Sequence, residues 1–266
     1  MTLPLSHSRL YRPLHTIARQ IERLARGLYY LAAGTLRRDD LLHMSQRVWR
    51  DFNCSDRAIV AGLYAWERDV YERHVRPQDR MLIVGSGSGR EALALAEAGH
   101  EVVGVEPVPE AVAAARRVLQ ARGHDVQFIQ ASIEDAALPG AFDVIVFSCY
   151  CYIPQSSSRV AVLRRAAAHL RPGGRIIITY IPALAPFRTG AVRLAGLMAR
   201  LTRSDWRPER NDVLHQAAKQ DGDTLEPLLY EHWFTHEEIE REARAAGLRV
   251  VDHWRLPRTP TLVLCV

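Results

Sequence analysis

The chain carries three closely spaced glycines, Gly85, Gly87 and Gly89, shortly after the apolar run 81–84. The apolar run suits a strand buried on both faces, and the alanine-rich stretch after the glycines favours a helix, so the glycines are predicted to form the turn between them. Glycine suits this turn because it allows positive φ and, without a Cβ, lets a ligand lie against backbone amides at the positive end of the helix. The turn therefore predicts a site for a nucleotide-like ligand.

Glu106 narrows the choice of ligand. It follows the second predicted strand, 101–105, and a carboxylate at that place can accept hydrogen bonds from both hydroxyls of a ribose. The glycine spacing is G-x-G-x-G, with Arg90 where the dinucleotide fingerprint has its last glycine. An adenosine-containing ligand is thus predicted, and a nicotinamide-dependent oxidoreductase is the less favoured alternative.

Strands and helices alternate through the middle of the chain. Strands are predicted at 101–105, 126–129, 144–147 and 175–180, with helices at about 109–122 and 156–170 among them. This alternation predicts βαβ units and a doubly wound parallel sheet of the α/β class. The last two predicted strands flank Pro257–Pro260, a connection too short for a parallel crossover, so these two strands are predicted to be antiparallel.

A helical extension, residues 1–76, is predicted to precede this Rossmann-like domain, 77–266. Its first helix, 13–33, is strongly amphipathic, with leucines, isoleucines and alanines on one face and arginines on the other. We interpret the helix as packed on the core or on a dimer partner, with peripheral contact to a membrane as the alternative. A second long segment, at about 182–230, interrupts the strand and helix alternation and is predicted to be a lid-like insertion.

Two further helices are predicted inside the extension. One covers about 39–51, and the other begins at Ser55, a residue suited to an N-cap, and continues toward Pro77. Three helices ahead of the glycine turn are predicted to form a lid over the site.

Composition limits the class of protein. The formal net charge is +5, and nearly all of the 35 basic residues are arginines spread along the chain, so no nucleic-acid partner is expected. The four cysteines lack paired C-x-x-C spacing and are interpreted as reduced thiols. No signal peptide and no apolar run of membrane-spanning length is found, so a cytoplasmic protein without integral membrane contact is predicted.

The succession of motifs resembles the class I S-adenosylmethionine-dependent methyltransferases, in particular the small-molecule group with a helical N-terminal extension. The resemblance covers about 77–181 and 228–266, and it implies a seven-stranded sheet of order 3-2-1-4-5-7-6 whose last strand is antiparallel. It also implies S-adenosyl-L-methionine as cofactor and S-adenosyl-L-homocysteine as product. The matching stretches are Leu82–Gly89, Val103–Glu106, Gln130–Asp135, Phe142–Ser148 and Leu170–Gly174.

The resemblance also implies where the cofactor lies. The methionine part is expected against the glycine turn and the ribose on Glu106. The adenine is expected beside Ser132 and Ile133, and the amino group at the backbone of Ser148. Ile83 replaces an acidic residue that the family often has in the first strand. The expected cofactor-binding residues are Gly85, Ser86, Gly87, Gly89, Glu106, Ser132, Ile133 and Ser148.

Methyl transfer from a sulfonium is an in-line displacement that needs an aligned nucleophile and little water. A base is useful only where the acceptor must lose a proton, and His232 and Tyr152 are the candidates. Ligands in such sheets bind beyond the carboxyl ends of the strands, so the substrate pocket is expected near Tyr150, Tyr152 and Tyr180, with His215 contributed by the insertion.

No metal site is predicted. His232 and His236 have H-x-x-x-H spacing, but a capping box that begins at Thr235 places a strand-to-helix break between them.

The function predicted from these residues is S-adenosylmethionine-dependent transfer of a methyl group to an oxygen or nitrogen of a small, partly aromatic metabolite. The alternative from another class is a non-catalytic S-adenosylmethionine-binding partner protein that docks through its N-terminal amphipathic helix. A monomer and a homodimer both fit the sequence.

Overall fold

The computed structural model describes residues 11–50, 54–183, 189–217 and 228–266. Predictions for 1–10, Asp51, 184–188 and 218–227 lie outside the described residues. The helices are α1 (Tyr11–Ala33), α2 (Arg38–Trp49), α3 (Asp56–Ile59), α4 (Ala65–His74), α5 (Arg90–Glu97), α6 (Pro109–Ala121), α7 (Ser156–Ala167), α8 (Thr189–Leu201) and α9 (His236–Ala245). The strands are β1 (Arg80–Val84), β2 (Glu101–Val105), β3 (Gln127–Ile129), β4 (Phe142–Phe147), β5 (Leu170–Thr179), β6 (Asp212–Gln216), β7 (Leu228–His232), β8 (Arg249–Trp254) and β9 (Thr261–Cys265).

Seven of these strands form one sheet in the order β3-β2-β1-β4-β5-β9-β8. Strands β1 to β5 pair in parallel with one another, and β9 is antiparallel to both β5 and β8. Counted within the sheet the order is 3-2-1-4-5-7-6, so the predicted α/β fold with its antiparallel last strand is confirmed. The strand order reverses between β1 and β4, which is where open α/β sheets leave a crevice for ligands.

Both faces of the sheet are buried. Leu82 and Val84 belong to an apolar cluster on one face, and Met81 and Ile83 belong to a second cluster on the other. Burial on both sides explains why β1 is a continuous apolar run rather than an alternating one.

The third predicted helix is divided into α3 and α4. Ser55 caps α3 as expected, since its hydroxyl accepts a hydrogen bond from the Ala58 amide at 3.3 Å. Gly62 then adopts a positive φ of 76°. A right-handed helix cannot continue through this left-handed conformation. The apolar periodicity of the sequence continues across Gly62, which is why a single helix is predicted there.

The described parts of the 182–230 segment include helix α8 and strand β6. Helix α8 packs against α1, and a Cβ placed on Gly34 would lie only 2.4 Å from the Ala195 carbonyl oxygen, so glycine permits this close approach. Strands β6 and β7 pair with each other in a separate two-stranded antiparallel sheet. The strand that was predicted to resume the main alternation at Leu228 therefore belongs to this small sheet.

Within the described ranges, no helix combines the length and the apolar character that a membrane span requires.

Candidate active site

A cavity of about 420 Å³ lies at the crevice between β1 and β4. Its volume is in the range of small-molecule sites. The glycine turn and the loops after β2, β3 and β4 form one end, and helices α2 and α4 of the extension form the other. Seven of the eight predicted cofactor residues line it, namely Gly85, Ser86, Gly87, Glu106, Ser132, Ile133 and Ser148.

The three glycines of the turn serve different purposes. All have positive φ, between 52° and 86°. A Cβ on Gly85 would lie 2.5 Å from the Cys149 Cβ, whereas a Cβ on Gly87 would meet no described atom within 4 Å. Gly89 does not line the cavity: it precedes α5, and a Cβ there would lie 2.9 Å from Ala115 of α6. Gly87 is therefore the glycine that leaves room in the cavity, and Gly89 permits helix packing.

Glu106 holds the turn in place. Its carboxylate accepts one hydrogen bond from the Gly87 amide at 2.9 Å and another from the Val108 amide at 3.0 Å. Burial raises the pKa of Glu106, although these two bonds act in the opposite direction. A carboxylate has about four acceptor positions, so Glu106 keeps free ones for a ligand.

The serines of the cavity differ in how their hydroxyls are used. The Ser132 hydroxyl donates to Asp135 at 2.7 Å. The Ser86 hydroxyl is buried and has no hydrogen-bond partner among the described residues. A buried, unpaired hydroxyl is costly, so a polar ligand group at this place would stabilise it.

Glu91 is a site residue that sequence reasoning missed. It lies in the first turn of α5, is 6% exposed and lines the cavity. The Ser148 hydroxyl donates to Glu91 at 3.1 Å, and the Tyr71 hydroxyl of α4 donates to its other oxygen. Burial, together with the nearby charge of Glu67, raises the pKa of Glu91 to about 8. In the sequence, the feature that could have indicated this role is an acidic residue directly before the apolar part of the helix.

A buried ion pair joins the turn to the extension. Arg90, next to the last glycine, makes two hydrogen bonds to the Glu67 carboxylate of α4, at 2.6 and 2.8 Å. Its guanidinium also lies 4.1 Å from the ring centroid of Tyr64 and donates to the Gly62 carbonyl. Glu67 is only 4% exposed, so the pair is largely screened from water.

The far end of the cavity is aromatic. Trp49 of α2 and Tyr152 of the loop after β4 contact each other edge to face, with their ring centroids 5.1 Å apart. Trp66 of α4 also lines the cavity. Arg38 lines it too and pairs with Glu134. No described residue of 189–217 lines the cavity, so its cover comes from the N-terminal helices.

Two of the predicted pocket tyrosines lie elsewhere. Tyr150 is fully buried beneath the site, where its hydroxyl donates to Glu242 at 2.8 Å. Tyr180 hydrogen-bonds with His236 and His253 and does not line the cavity. The prediction of both as pocket walls is corrected, because their rings face the apolar cluster on one side of the sheet. Tyr152 does line the cavity.

The candidate base His232 is also corrected. It is fully buried outside the cavity, with its Nδ1 2.7 Å from an Asp212 carboxylate oxygen. Burial alone would lower the pKa of His232, but the hydrogen bond to Asp212 and the Glu238 carboxylate, 3.3 Å from its Nε2, raise it to about 9. The prediction of His215 as a pocket residue is corrected too: His215 lies outside the cavity, with its Nε2 3.0 Å from a Glu231 carboxylate oxygen.

In the described part of the chain, the ligand atoms of Glu209, Asp212 and His232 lie within 4.8 Å of one another, as metal ligands would. However, Arg159 donates to Glu209 at 2.7 Å, and the raised pKa of His232 keeps a proton beside Asp212. These cations already balance the carboxylates, so we assign the group to the packing of the core. His236 contributes to a different cluster, with Tyr180.

Comparisons with known proteins agree with this geometry. Residues 81–174 match the family described as "Methyltransferase domain". The chain is 36% identical over 110 residues to ribosomal protein L11 methyltransferase of Thermus thermophilus, which covers 41% of each chain. It is 28% identical over 173 residues to the ubiquinone biosynthesis O-methyltransferase of Xanthomonas campestris, covering 62% of this chain and 72% of that one.

Solved structures show the same fold. An S-adenosylmethionine-dependent methyltransferase of Methanosarcina mazei superposes with a TM-score of 0.58 at 18% identity, covering 76% of this chain and 97% of that one. The 1,6-didemethyltoxoflavin-N1-methyltransferase of Burkholderia thailandensis, solved with bound 1,6-didemethyltoxoflavin and S-adenosylhomocysteine, gives a TM-score of 0.53 at 21% identity, and the match covers 85% of each chain.

The sheet order is that of the Rossmann-like fold of class I S-adenosylmethionine-dependent methyltransferases, to which the solved structures also belong. Within this fold, residues 81–174, which contain the glycine turn and Glu106, match a methyltransferase domain.

Alanine at Gly85 and at Gly87 should have different effects. Both residues have positive φ, so each alanine should cost about 1–2 kcal/mol of backbone strain. Gly85→Ala should lose about 2–4 kcal/mol in urea denaturation, because its Cβ also overlaps Cys149. Gly87→Ala should keep most of its stability yet bind S-adenosylhomocysteine at least ~10-fold more weakly in calorimetry, because the added methyl enters the cavity. Unchanged affinity in Gly87→Ala would contradict this account of the turn.

Proposed function

We propose that this protein transfers the methyl group of S-adenosylmethionine to an oxygen or nitrogen of a small molecule with an aromatic part. The observation that carries the proposal is a single cavity that runs from the glycine turn and Glu106 to a chamber walled by Trp49 and Trp66. The match to ribosomal protein L11 methyltransferase spans only 41% of that protein, so the activity of the whole chain is part of the proposal.

On this proposal the cofactor lies against the turn. The methionine tail lies against Gly85 to Gly87, where the unpaired Ser86 hydroxyl can donate to its carboxylate, and Glu106 binds the ribose hydroxyls. Adenine lies beside Ile133. The amino group binds near Ser148, where Glu91 supplies the carboxylate that Ile83 does not provide.

The acceptor on this proposal lies under the N-terminal helices, which act as its lid. Aromatic walls at Trp49 and Tyr152 favour a ring that stacks or packs edge to face. Among the similar proteins, one is named for O-methylation in ubiquinone biosynthesis and another for N1-methylation of 1,6-didemethyltoxoflavin. Both names support a small-molecule acceptor, and they leave oxygen and nitrogen equally supported.

Glu91, whose pKa is about 8, lines the cavity, but on this proposal its carboxylate faces the cofactor's amino group and not the acceptor. No described histidine lines the cavity, and burial raises the pKa of Tyr152 above its usual range and that of the Cys149 thiol to about 12. A bound sulfonium supplies an electrophilic methyl group and an excellent leaving group. The protein then contributes alignment and the exclusion of water, and the acceptor must reach the site as a neutral amine or a readily ionised hydroxyl.

The competing proposal is a cofactor-binding partner protein without turnover. Incubation with labelled S-adenosylmethionine and aromatic amines and phenols separates the two, because only an enzyme forms S-adenosylhomocysteine in excess over the protein.

Replacing Glu106 by alanine should weaken S-adenosylhomocysteine binding by about 10- to 100-fold in calorimetry, because hydrogen bonds to a charged group are lost. Glu110→Ala is the matched control, since Glu110 is exposed at the start of α6. Absence of binding by the intact chain, or equal binding by Glu106→Ala, would refute the cofactor site.

The affinity for S-adenosylhomocysteine should depend on the ionisation of Glu91. The pKa of Glu91 is about 8 in the free protein, and a nearby ligand ammonium favours the charged carboxylate. Ligand binding therefore releases a proton below pH 8, so affinity should rise from pH 6 to pH 8, by at most ~10-fold per pH unit, and then level off.

The affinity of the intact chain for S-adenosylhomocysteine, divided by that of Glu91→Gln at the same pH, isolates the effect of Glu91. The titration of the ligand's own groups affects both proteins equally and cancels in this ratio. Glu97→Gln, an exposed acid at the end of the same helix, should behave like the intact chain. A ratio that stays constant with pH would show that Glu91 does not face the amino group.

A further inference from the structure

Helix α1 carries a row of large apolar side chains that the described chain leaves in solvent. Leu14, Ile17, Ile21, Leu24 and Leu28 are each more than half exposed. We call these five residues the α1 stripe. Contiguous exposed apolar side chains of this kind mark an interaction surface.

The α1 stripe is not the face by which α1 packs on its own chain. That face consists of Tyr30 and Ala33, which are buried in a cluster with Ala195 of α8. At about 100° per residue, Tyr30 points about 160° away from Leu28. The intramolecular contact of α1 therefore leaves the stripe available.

The first part of α1 lacks support from the rest of the described chain. Every residue from 11 to 24 is exposed, a stretch of about 21 Å at 1.5 Å per residue. Isolated helices of this length are marginal in water. A partner that covers the stripe would stabilise the helix.

The spacing of the stripe identifies the kind of partner. Its members are separated by three, four, three and four residues, and Leu31 extends the series by three. This is the a/d spacing of a coiled coil, in which each apolar side chain inserts between residues of a facing helix. The sequence thus favours a helix as the partner.

The positions beside the stripe have no charge. Ala18 and Ala25 lie along one edge, and Gln20 and Gly27 lie along the other. The arginines of α1 lie on the opposite side, so two copies of this helix can meet without bringing like charges together. A lipid surface would instead be favoured by cations at the edges of the stripe, where they reach headgroups.

We propose that the α1 stripe binds the α1 stripe of a second copy of this chain, which makes the protein a homodimer held by paired helices. A two-fold axis brings the same surface of each copy together, as in most homodimers. This proposal does not rest on the proposed function, because no residue of the stripe lines the cavity.

The test uses sedimentation velocity of the full chain at micromolar concentration. The intact protein should sediment as a dimer, and Ile21→Glu and Leu24→Glu should each raise the dimer dissociation constant by ~100-fold or more, because each buries a carboxylate in the seam of both copies. Thr16→Glu, an exposed position about 120° around the helix from the centre of the stripe with the same change in charge, is the matched control and should remain dimeric.

The substituted residues are exposed in the single chain, so the dissociated variants should keep a cooperative thermal transition and the S-adenosylhomocysteine affinity of the intact chain, and any loss of helical signal in circular dichroism should be no larger than α1 itself. A monomeric intact chain would overturn the proposal, as would dimers that persist in both stripe variants. If the intact chain is monomeric and cosediments with vesicles containing phosphatidylglycerol, a lipid surface is the occupant and the proposal is likewise overturned. Binding of S-adenosylhomocysteine is measured in parallel, so failure of the dimer and failure of the cofactor site are separate results.

Discussion

The arrangement of the site depends on the ion pair between Arg90 and Glu67. One partner stands beside the last glycine of the turn and the other on α4, so the pair fixes the extension against the cofactor end of the cavity. Two parallel hydrogen bonds join the guanidinium to the carboxylate, so each charge is compensated by the other. Without its partner, either charge would be destabilising in this largely buried position. Tyr71 adds a second link by donating to Glu91. The acceptor chamber under α2 and α4 exists because these links hold the helices over the crevice.

A second set of buried charges organises the core beside the site. Arg159 is fully buried and donates to Glu242 and Glu209, while Asp212 accepts hydrogen bonds from His232 and Tyr230. Buried charges persist only when paired and hydrogen-bonded, and here each carboxylate has a cation or a hydroxyl. The histidine that looked like a base is therefore part of a structural network that ties α7, α9 and the small β6 and β7 sheet together.

The fold and the cofactor end of the site could be predicted from sequence because their signals are local. The glycine turn, the carboxylate at Glu106 and the short last connection each lie within a few residues, and the sheet order follows from them by resemblance. Glu91 was missed because its role depends on Tyr71 and Ser148, which are distant in the chain. His232 was misassigned for the same reason, since nothing near it in sequence reveals Asp212. The division of α3 from α4 depends on the φ of Gly62, which composition does not encode.

The central claim is that one cavity seats S-adenosylmethionine on the glycine turn and an acceptor under the N-terminal helices. A crystal structure with S-adenosylhomocysteine tests it most directly. We predict both ribose hydroxyls within hydrogen-bond distance of Glu106, the methionine tail against Gly85 to Gly87, and the homocysteine sulfur facing Trp49 and Tyr152. Ligand density at another place in the molecule, or a ribose that does not contact Glu106, would contradict the claim.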